Sequence, residues 1–399
     1  MNFEMPTLST LHTLLDPIDC RQEQQRHLSS VLPALSAALG VPIPTPVHPH
    51  PQQLAQSLHI PSCERAVVVF IDGLGFWNLV LRIGHTPNMR AMLRQQYNDQ
   101  PIWTTQPSTT SVAIPTFGTG TAPGFTGMFG YTQRNPRTGN KAQMITFTDD
   151  IAPREVQHQP TIFSQIDQQG MRVTSIGLPR FEHSALTEAA LKGGAFIGSE
   201  SPRMRLKHAL AANETPGLTY LYIRDLDKTA HKSGWDNDAW VAQLEKIDTI
   251  IGTLRRMLAP GTLLVITADH GVVNMVEQDQ IDIADNPMLQ EGVELVAGEP
   301  RAPMLYTTLG QQDAVAQRWQ EVLADRAVVL TQEEALNQGI FGAVQPHTLP
   351  WLADVFVLTQ GQHTIVDSRT QREQERTLPA VHGSRTQMEM EIPLLMEVL

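Results

Sequence analysis

The run Val67-Val-Val-Phe-Ile-Asp-Gly-Leu-Gly75 does most to limit what this chain can become. A short, unbroken stretch of β-branched and aromatic residues reads as a strand buried on both faces, and the Asp-Gly that stops it reads as a tight turn. In open α/β sheets ligands gather beyond the carboxyl ends of strands, so Asp72 is placed to hold one. Taken alone, it is equally a turn aspartate. The pattern then recurs: Gly217-Leu-Thr-Tyr-Leu-Tyr-Ile223 runs into Arg-Asp-Leu-Asp227, and Thr262-Leu-Leu-Val-Ile-Thr267 runs into Ala-Asp-His-Gly271.

Between these runs lie helical stretches. Asp236 or Asn237 caps one whose apolar positions Val241, Leu244, Ile247, Ile251, Leu254 and Leu258 keep helical period, and Pro260-Gly261 ends it. Met171 to Pro179 reads as another strand and turn, followed by a helix near 184–192. Strands alternating with helices predict an α/β fold with a largely parallel central sheet and helices on both faces. The chain has 399 residues, 41% of them hydrophobic, enough for a large core.

Four segments are expected. Residues 1–60 read as an appended helical extension and linker, with a Pro- and His-rich connector in which His48 and His50 belong to a solvated loop rather than a metal tract. Residues 61–274 form the first part of the core. Residues 275–350, rich in Gln, Glu and Asp, read as an inserted cap subdomain. Residues 351–399 return to the core, with Asp354-Val-Phe-Val-Leu358 resuming the strand pattern and 392–398 closing the sheet.

A net charge of -12 argues against binding a nucleic-acid polymer through a basic surface. It leaves small anionic substrates open, because bound divalent metals reverse the local field. Cys20 and Cys63 are the only cysteines, so neither a disulfide framework nor a thiolate cluster is expected. No apolar run reaches membrane-spanning length, and the N-terminus, with Glu4, Pro6 and Asp16, lacks a secretory pattern. The expectation is a cytoplasmic protein away from membranes.

The chemistry concentrates at the strand ends. Asp72, Asp227 with His231, Asp269-His270 and, in a later Gly-flanked loop, His382 are oxygen and nitrogen ligand types for zinc and related metals. Such pairs are commonly surface ion pairs or caps; this many at strand ends and turns is a site. The set exceeds what one catalytic zinc needs, and two metals suit displacement at phosphorus. The stretch from Trp103 to Gly120 supplies hydroxyls at Thr104, Thr105, Ser108, Thr109, Thr110 and Ser111, ahead of an apolar run that reads as a helix start. A helix N-terminus offers free amides to an anion.

These pieces resemble the type I phosphodiesterase / nucleotide pyrophosphatase group of the alkaline phosphatase superfamily. The matching residues are Phe70-Ile-Asp-Gly73, Thr105-Gln-Pro-Ser108 with Thr119-Gly120, Asp227-Lys-Thr-Ala-His231, Ala268-Asp-His-Gly271 and His382-Gly383. The resemblance implies an alkaline-phosphatase-like fold and two divalent ions, zinc or alternatively manganese. It assigns Asp72, Asp269 and His270, with Thr105 as nucleophile and fourth ligand, to one ion, and Asp227, His231 and His382 to the other. The family's Thr-x-Pro-Asn pattern selects Thr105. A covalent phospho-threonine, released by water, is implied.

Ser108 stands where the family commonly has Asn and is a substrate-binding candidate, as is Tyr222, which stands where the family stacks a base. Gln106 replaces an aromatic, and the Gly127–Tyr131 loop lacks a phosphate-holding Asn. Arg134, Arg180 and Lys232 are either anion-binding arms or solvated charges. The expected function is a two-metal phosphodiesterase or pyrophosphatase acting on a small phosphorylated substrate, a nucleotide among the options. A phosphonoacetate-type hydrolase or phosphomonoesterase on the same site is the alternative, and a non-enzymatic metal-binding protein a second. Nothing in the sequence fixes the oligomeric state.

Overall fold

The computed structural model describes residues 11–18 and 26–399. Glu4, Pro6 and Cys20, weighed above for a leader and for disulfides, lie outside the described residues.

The expected sheet is present. Its strands are β1 (Arg65–Ile71), β2 (Val173–Gly177), β3 (Ala195–Gly198), β4 (Gly217–Ile223), β5 (Leu263–Thr267) and β6 (Leu395–Val398), in the order β6-β5-β1-β4-β2-β3. All pairings are parallel except the edge strand β6, which runs antiparallel to β5. The unbroken apolar runs of β1 and β5 are explained by their central position, since Ala66 to Ile71 and Leu263 to Ile266 are all 0% exposed. Side chains of β4 alternate between the faces. Tyr220 and Phe70 meet Phe117 of the Thr110–Thr119 helix on one face, while Leu221 and Ile223 face the Pro202–Ala212 and Asp238–Met257 helices on the other.

Register carries the function. Ile71 pairs with Ile223, and Phe70 pairs with Thr267, so β1, β4 and β5 stop level with one another. The acids that follow each strand therefore emerge side by side.

Two segment expectations need correction. Val355–Thr359 does not rejoin the central sheet. It lies inside a second, antiparallel sheet ordered Val293–Glu299, Ala302–Thr307, Val355–Thr359, Ala327–Thr331. An apolar strand pattern reports burial but not which sheet buries it, so the boundary placed at 351 falls too early. The second sheet has its own cores, one around Phe341 and Phe356 and another around Trp319 of the Gln312–Leu323 helix.

Nor is the N-terminal segment an appendage. The Leu28–Ala38 helix buries Leu28, Val31, Leu32 and Leu35 at 0% exposure in the main core, against the Thr110–Thr119 helix. Truncating one such leucine to alanine costs about 2–5 kcal/mol.

His48 is likewise buried rather than solvated. Its Nε2 lies 2.8 Å from Ser29 Oγ, which lies 2.9 Å from His27 Nδ1. His27 Nε2 meets the Thr104 carbonyl at 3.0 Å, while the Ser29 amide donates to His27 Nδ1. Both rings are neutral. Burial, reinforced by His48, pushes His27 down to about 3, and burial pushes His48 down to about 4. Unfolded histidines titrate near 6.5, so below that pH the unfolded chain takes up protons that the folded chain refuses. Stability is thus intact above about pH 6.5 and falls as pH drops toward 4. Urea denaturation at pH 7.5 and 5.0 is expected to show a loss of about 1–2 kcal/mol per histidine. A His27→Asn, His48→Asn double variant is expected to show a smaller pH-dependent loss.

Candidate active site

The site is built where β1, β4 and β5 end. The Asp72 amide donates to the Ile223 carbonyl at 2.9 Å, and the next amide, Gly73, donates to Asp269 Oδ1 at 3.0 Å. Gly73 adopts φ +74°, and a Cβ there would lie 2.8 Å from Asp227 Cβ. Glycine therefore lets the β1 and β4 turns close on each other. Asp227 and His231 sit four residues apart on the Asp225–Ser233 helix, which brings them onto one face at 3.3 Å. Asp269 and His270 follow β5 directly, and His382 enters from the loop beyond Ala380–Val381.

All three imidazoles are oriented alike. The Nδ1 atoms of His231, His270 and His382 face the carbonyls of Ala380, Gly271 and Ser108 at 2.8, 3.1 and 2.9 Å. A ring nitrogen against a carbonyl carries the proton, so each Nε2 presents a lone pair inward. Those lone pairs face carboxylate oxygens. His270 Nε2 lies 3.5 Å from Asp269 Oδ2 and 3.8 Å from Asp72 Oδ1, and His382 Nε2 lies 4.0 Å from Asp227 Oδ1. Asp227 Oδ1 and Asp269 Oδ2 are buried with no hydrogen-bond partner.

Acceptors facing acceptors in a buried space call for a cation. The electrostatics agree: burial, then the charges of Asp269 and Asp227, hold the Asp72 carboxyl well above its usual range. Burial, then His270 and His231, hold His382 well below its usual value, and so neutral. Ligand atoms of Asp227, His231 and His382 lie within 4.8 Å of one another, as do those of Asp72, Asp227 and His270. Asp269 spends Oδ1 on the Gly73 and His270 amides, both at 3.0 Å, and keeps Oδ2 for the cluster. The residues fit divalent metals with oxygen and imidazole ligands. Asp225 stands apart, paired with Arg205 at 3.5 Å.

The structure does not bring Thr105 to this cluster. Its hydroxyl turns back to donate to the Pro107 carbonyl at 2.7 Å, in a fully buried position. Thr110 is the hydroxyl at the site. Its Oγ1 lies 3.4 Å from Asp72 Oδ1 and 3.1 Å from His270 Nε2. Thr110 opens the Thr110–Thr119 helix, and no side chain caps that helix. The sequence signal was the helix start itself, just ahead of Val112, rather than the Thr-x-Pro spacing.

Both substrate-binding candidates are hydrogen-bonded within the protein. Ser108 donates its hydroxyl to the Ser384 carbonyl at 2.7 Å and accepts from the Gly383 amide at 3.2 Å, while its own carbonyl orients His382. Tyr222 donates its hydroxyl to Asp72 Oδ2 and packs edge-on to Phe181, so it orients a carboxylate. Arg134 lies over the Tyr306 ring, 4.4 Å from its centroid, and Arg180 over Phe181 at 5.2 Å.

Residues 66–385 match the type I phosphodiesterase / nucleotide pyrophosphatase family. The chain belongs to this family. Among solved structures it is similar to murine ectonucleotide pyrophosphatase / phosphodiesterase 5, with a TM-score of 0.67 and 16% identity over 84% of this chain and 88% of that one. It is also similar to phosphonoacetate hydrolase from Sinorhizobium meliloti 1021, with a TM-score of 0.63 and 19% identity over 84% and 90% of the two chains. A phosphopentomutase of Methylobacterium radiotolerans is 32% identical over 137 residues, which is 34% of this chain and 30% of that protein. The central sheet and fold are those of alkaline-phosphatase-like enzymes. Membership of the family supports a phosphoester hydrolase, and the family is typically dependent on divalent metal. Among the described residues no helix is long and apolar enough to cross a membrane.

A site held together by cations is weakened by their removal. Dialysis against a strong chelator is expected to lower the melting temperature by several degrees, with recovery on adding a divalent metal; ligand at about 100 times its Kd contributes about 2.7 kcal/mol. Asp227→Ala is expected to lose most of that response, because Asp227 belongs to both ligand groups.

Proposed function

We propose that this chain is a two-metal phosphodiesterase or pyrophosphatase that works through a covalent threonine ester on Thr110. The observation that carries the reading is the Thr110 hydroxyl at the first turn of an uncapped helix, 3.1 Å from His270 Nε2 and facing Asp72. Asp72, Asp269 and His270 would hold one ion beside Thr110, and Asp227, His231 and His382 the other. The oxygen and imidazole set suits zinc, with manganese the alternative.

When bound, such ions neutralise developing charge and favour deprotonation of a nearby hydroxyl. The chain's own residues do the rest. The first amides of the Thr110–Thr119 helix point at the phosphoryl oxygens, where an anion is favoured. Tyr222 and the Gly73 amide fix the carboxylates of Asp72 and Asp269. Thr110 Oγ bonds to phosphorus as the bond to the leaving oxygen breaks, and water then cleaves the threonine ester. Support for the threonine comes from the murine relative, which has an inactive threonine-to-alanine variant seen in complex with AMP.

The same constellation would serve phosphonate or phosphomonoester substrates, and the likeness to phosphonoacetate hydrolase favours keeping the phosphonate reading beside the diester one. The small phosphorylated ligands of the relatives, AMP and phosphonoacetate, suit a site of this kind. The test is turnover of bis-p-nitrophenyl phosphate, p-nitrophenyl phosphate and phosphonoacetate by metal-loaded protein. The diester is expected to be preferred. Thr110→Ala is expected to lose at least about 1,000-fold in kcat, while Thr105→Ala stays within about threefold. Preference for the monoester or phosphonate would move the substrate class, and full activity of Thr110→Ala would defeat the mechanism.

A further inference from the structure

A cavity lies on the face of the central sheet opposite the Thr110–Thr119 helix. It sits between the Pro202–Ala212 and Asp238–Met257 helices, at the carboxyl end of β4, and measures about 220 Å³. Leu221 and Ile223 line it from the sheet, Arg205 and Leu206 from one helix, and Ile247 and Ile250 from the other. None of the metal-ligating side chains lines it. Tyr222, between Leu221 and Ile223, points the other way, to Asp72.

Three charged side chains belong to the lining: Arg205, Asp225 and Lys246. Arg205 is 5% exposed, so its charge is buried, whereas Lys246 is exposed. Arg205 Nη1 donates to the carbonyls of Ser199 and Glu200 at 2.9 and 3.2 Å. Its carboxylate partner is Asp225, at 3.5 Å. That is well outside the roughly 2.7–2.9 Å of a close charge-assisted pair. The Asp225 side chain is also 39% exposed, so water shares it. A buried guanidinium is unfavourable unless it is closely paired. It also carries more N–H donors than these contacts use.

Charge and shape together select an occupant. Two cations against one carboxylate leave the cavity with an excess positive charge, which a monoanion balances. A dianion is disfavoured, because Asp225 repels the second charge. The planar guanidinium matches a carboxylate group. The aliphatic walls favour an apolar body behind it. The volume is below the roughly 300 Å³ at which sites for drug-sized ligands begin, so that body is short.

We infer that this cavity is a non-catalytic binding site for a short aliphatic monocarboxylate. The carboxylate meets Arg205 and Lys246, and the hydrocarbon lies against Leu206, Leu221, Ile247 and Ile250. The occupant also lies beside Asp225, which begins the helix that carries Asp227 and His231. Its binding needs neither metal nor Thr110.

The test uses the full, metal-loaded chain with isoleucine methyl groups labelled for NMR, titrated with hexanoate. The methyl resonances of Ile247 and Ile250 are expected to shift saturably. Hexan-1-ol keeps the hydrocarbon and lacks the charge. It is expected to bind at least about tenfold more weakly, the loss of a hydrogen bond to a charged group. Inorganic phosphate is expected to leave both methyls unmoved. Ile250→Trp fills the cavity from a half-exposed position and is expected to abolish the hexanoate-dependent shift at Ile247, with the melting temperature unchanged. Lys246→Glu reverses an exposed charge and serves as the second variant should the tryptophan chain not fold. It is expected to weaken hexanoate binding on the order of tenfold. No saturable shift at Ile247 and Ile250, or shifts confined to Ile71 beside the metal ligands, would overturn the site. Equal binding of hexan-1-ol, or phosphate moving the same methyls as hexanoate, would overturn the carboxylate assignment. Hexanoate binding that survives both substitutions at wild-type strength would place the ligand elsewhere and overturn the site as well.

Discussion

Three carboxylates are forced together by strand register, and imidazole lone pairs are turned to face them. Asp72, Asp227 and Asp269 follow strands that stop level; Asp72 and Asp269 are buried, and the Asp227 side chain is 14% exposed. Burial of like charges this close is unfavourable unless positive charge is supplied. Much of the surrounding structure serves to hold that arrangement. Tyr222 donates to Asp72, two amides donate to Asp269, and the absent side chain at Gly73 lets Asp227 approach. The scaffold spends its donors fixing carboxylate oxygens rather than neutralising them, which is what a metal site requires.

The loops that carry His270 and His382 share a buried anchor. Glu389 and Arg301 are both fully buried and form a bidentate pair. Glu389 also accepts the Ser384 amide at 3.0 Å and the Thr386 hydroxyl at 2.6 Å, while its own carbonyl accepts the Gly271 amide at 2.9 Å. Arg301 comes from the turn between two strands of the second sheet, so that sheet is tied to the metal side of the core. Removing one partner of such a pair typically costs about 3–5 kcal/mol. The N-terminal segment makes a second tie. His27 holds the Thr104 carbonyl, and the Thr104 hydroxyl donates to the Asp269 carbonyl. Segments that look peripheral in the sequence therefore brace the catalytic loops.

The strands and their acids were legible because their signal is local. An apolar run that stops at Asp-Gly or Asp-His says both that a buried strand ends and that a ligand type stands at its end. The six acid and histidine positions that the sequence marked as ligands do come together. What was not legible depends on how segments meet. Thr105 matched a short motif, but the helix begins five residues later, and Thr110 is the residue the helix start delivers to Asp72. The internal hydrogen bonds of Ser108 and Tyr222 could not be read from the sequence because their partners, Ser384 and Asp72, lie far away along the chain. Val355–Thr359 has a strand's composition in either sheet, and only its neighbours settle which one it joins.

The most direct measurement is anomalous X-ray scattering from crystals of metal-loaded protein, collected on both sides of the zinc edge. Two peaks are expected about 3.5–4 Å apart. One should lie among Asp72, Asp269, His270 and Thr110, and the other among Asp227, His231 and His382. A single peak, or metal bound away from these side chains, would contradict a two-metal site at the level ends of β1, β4 and β5.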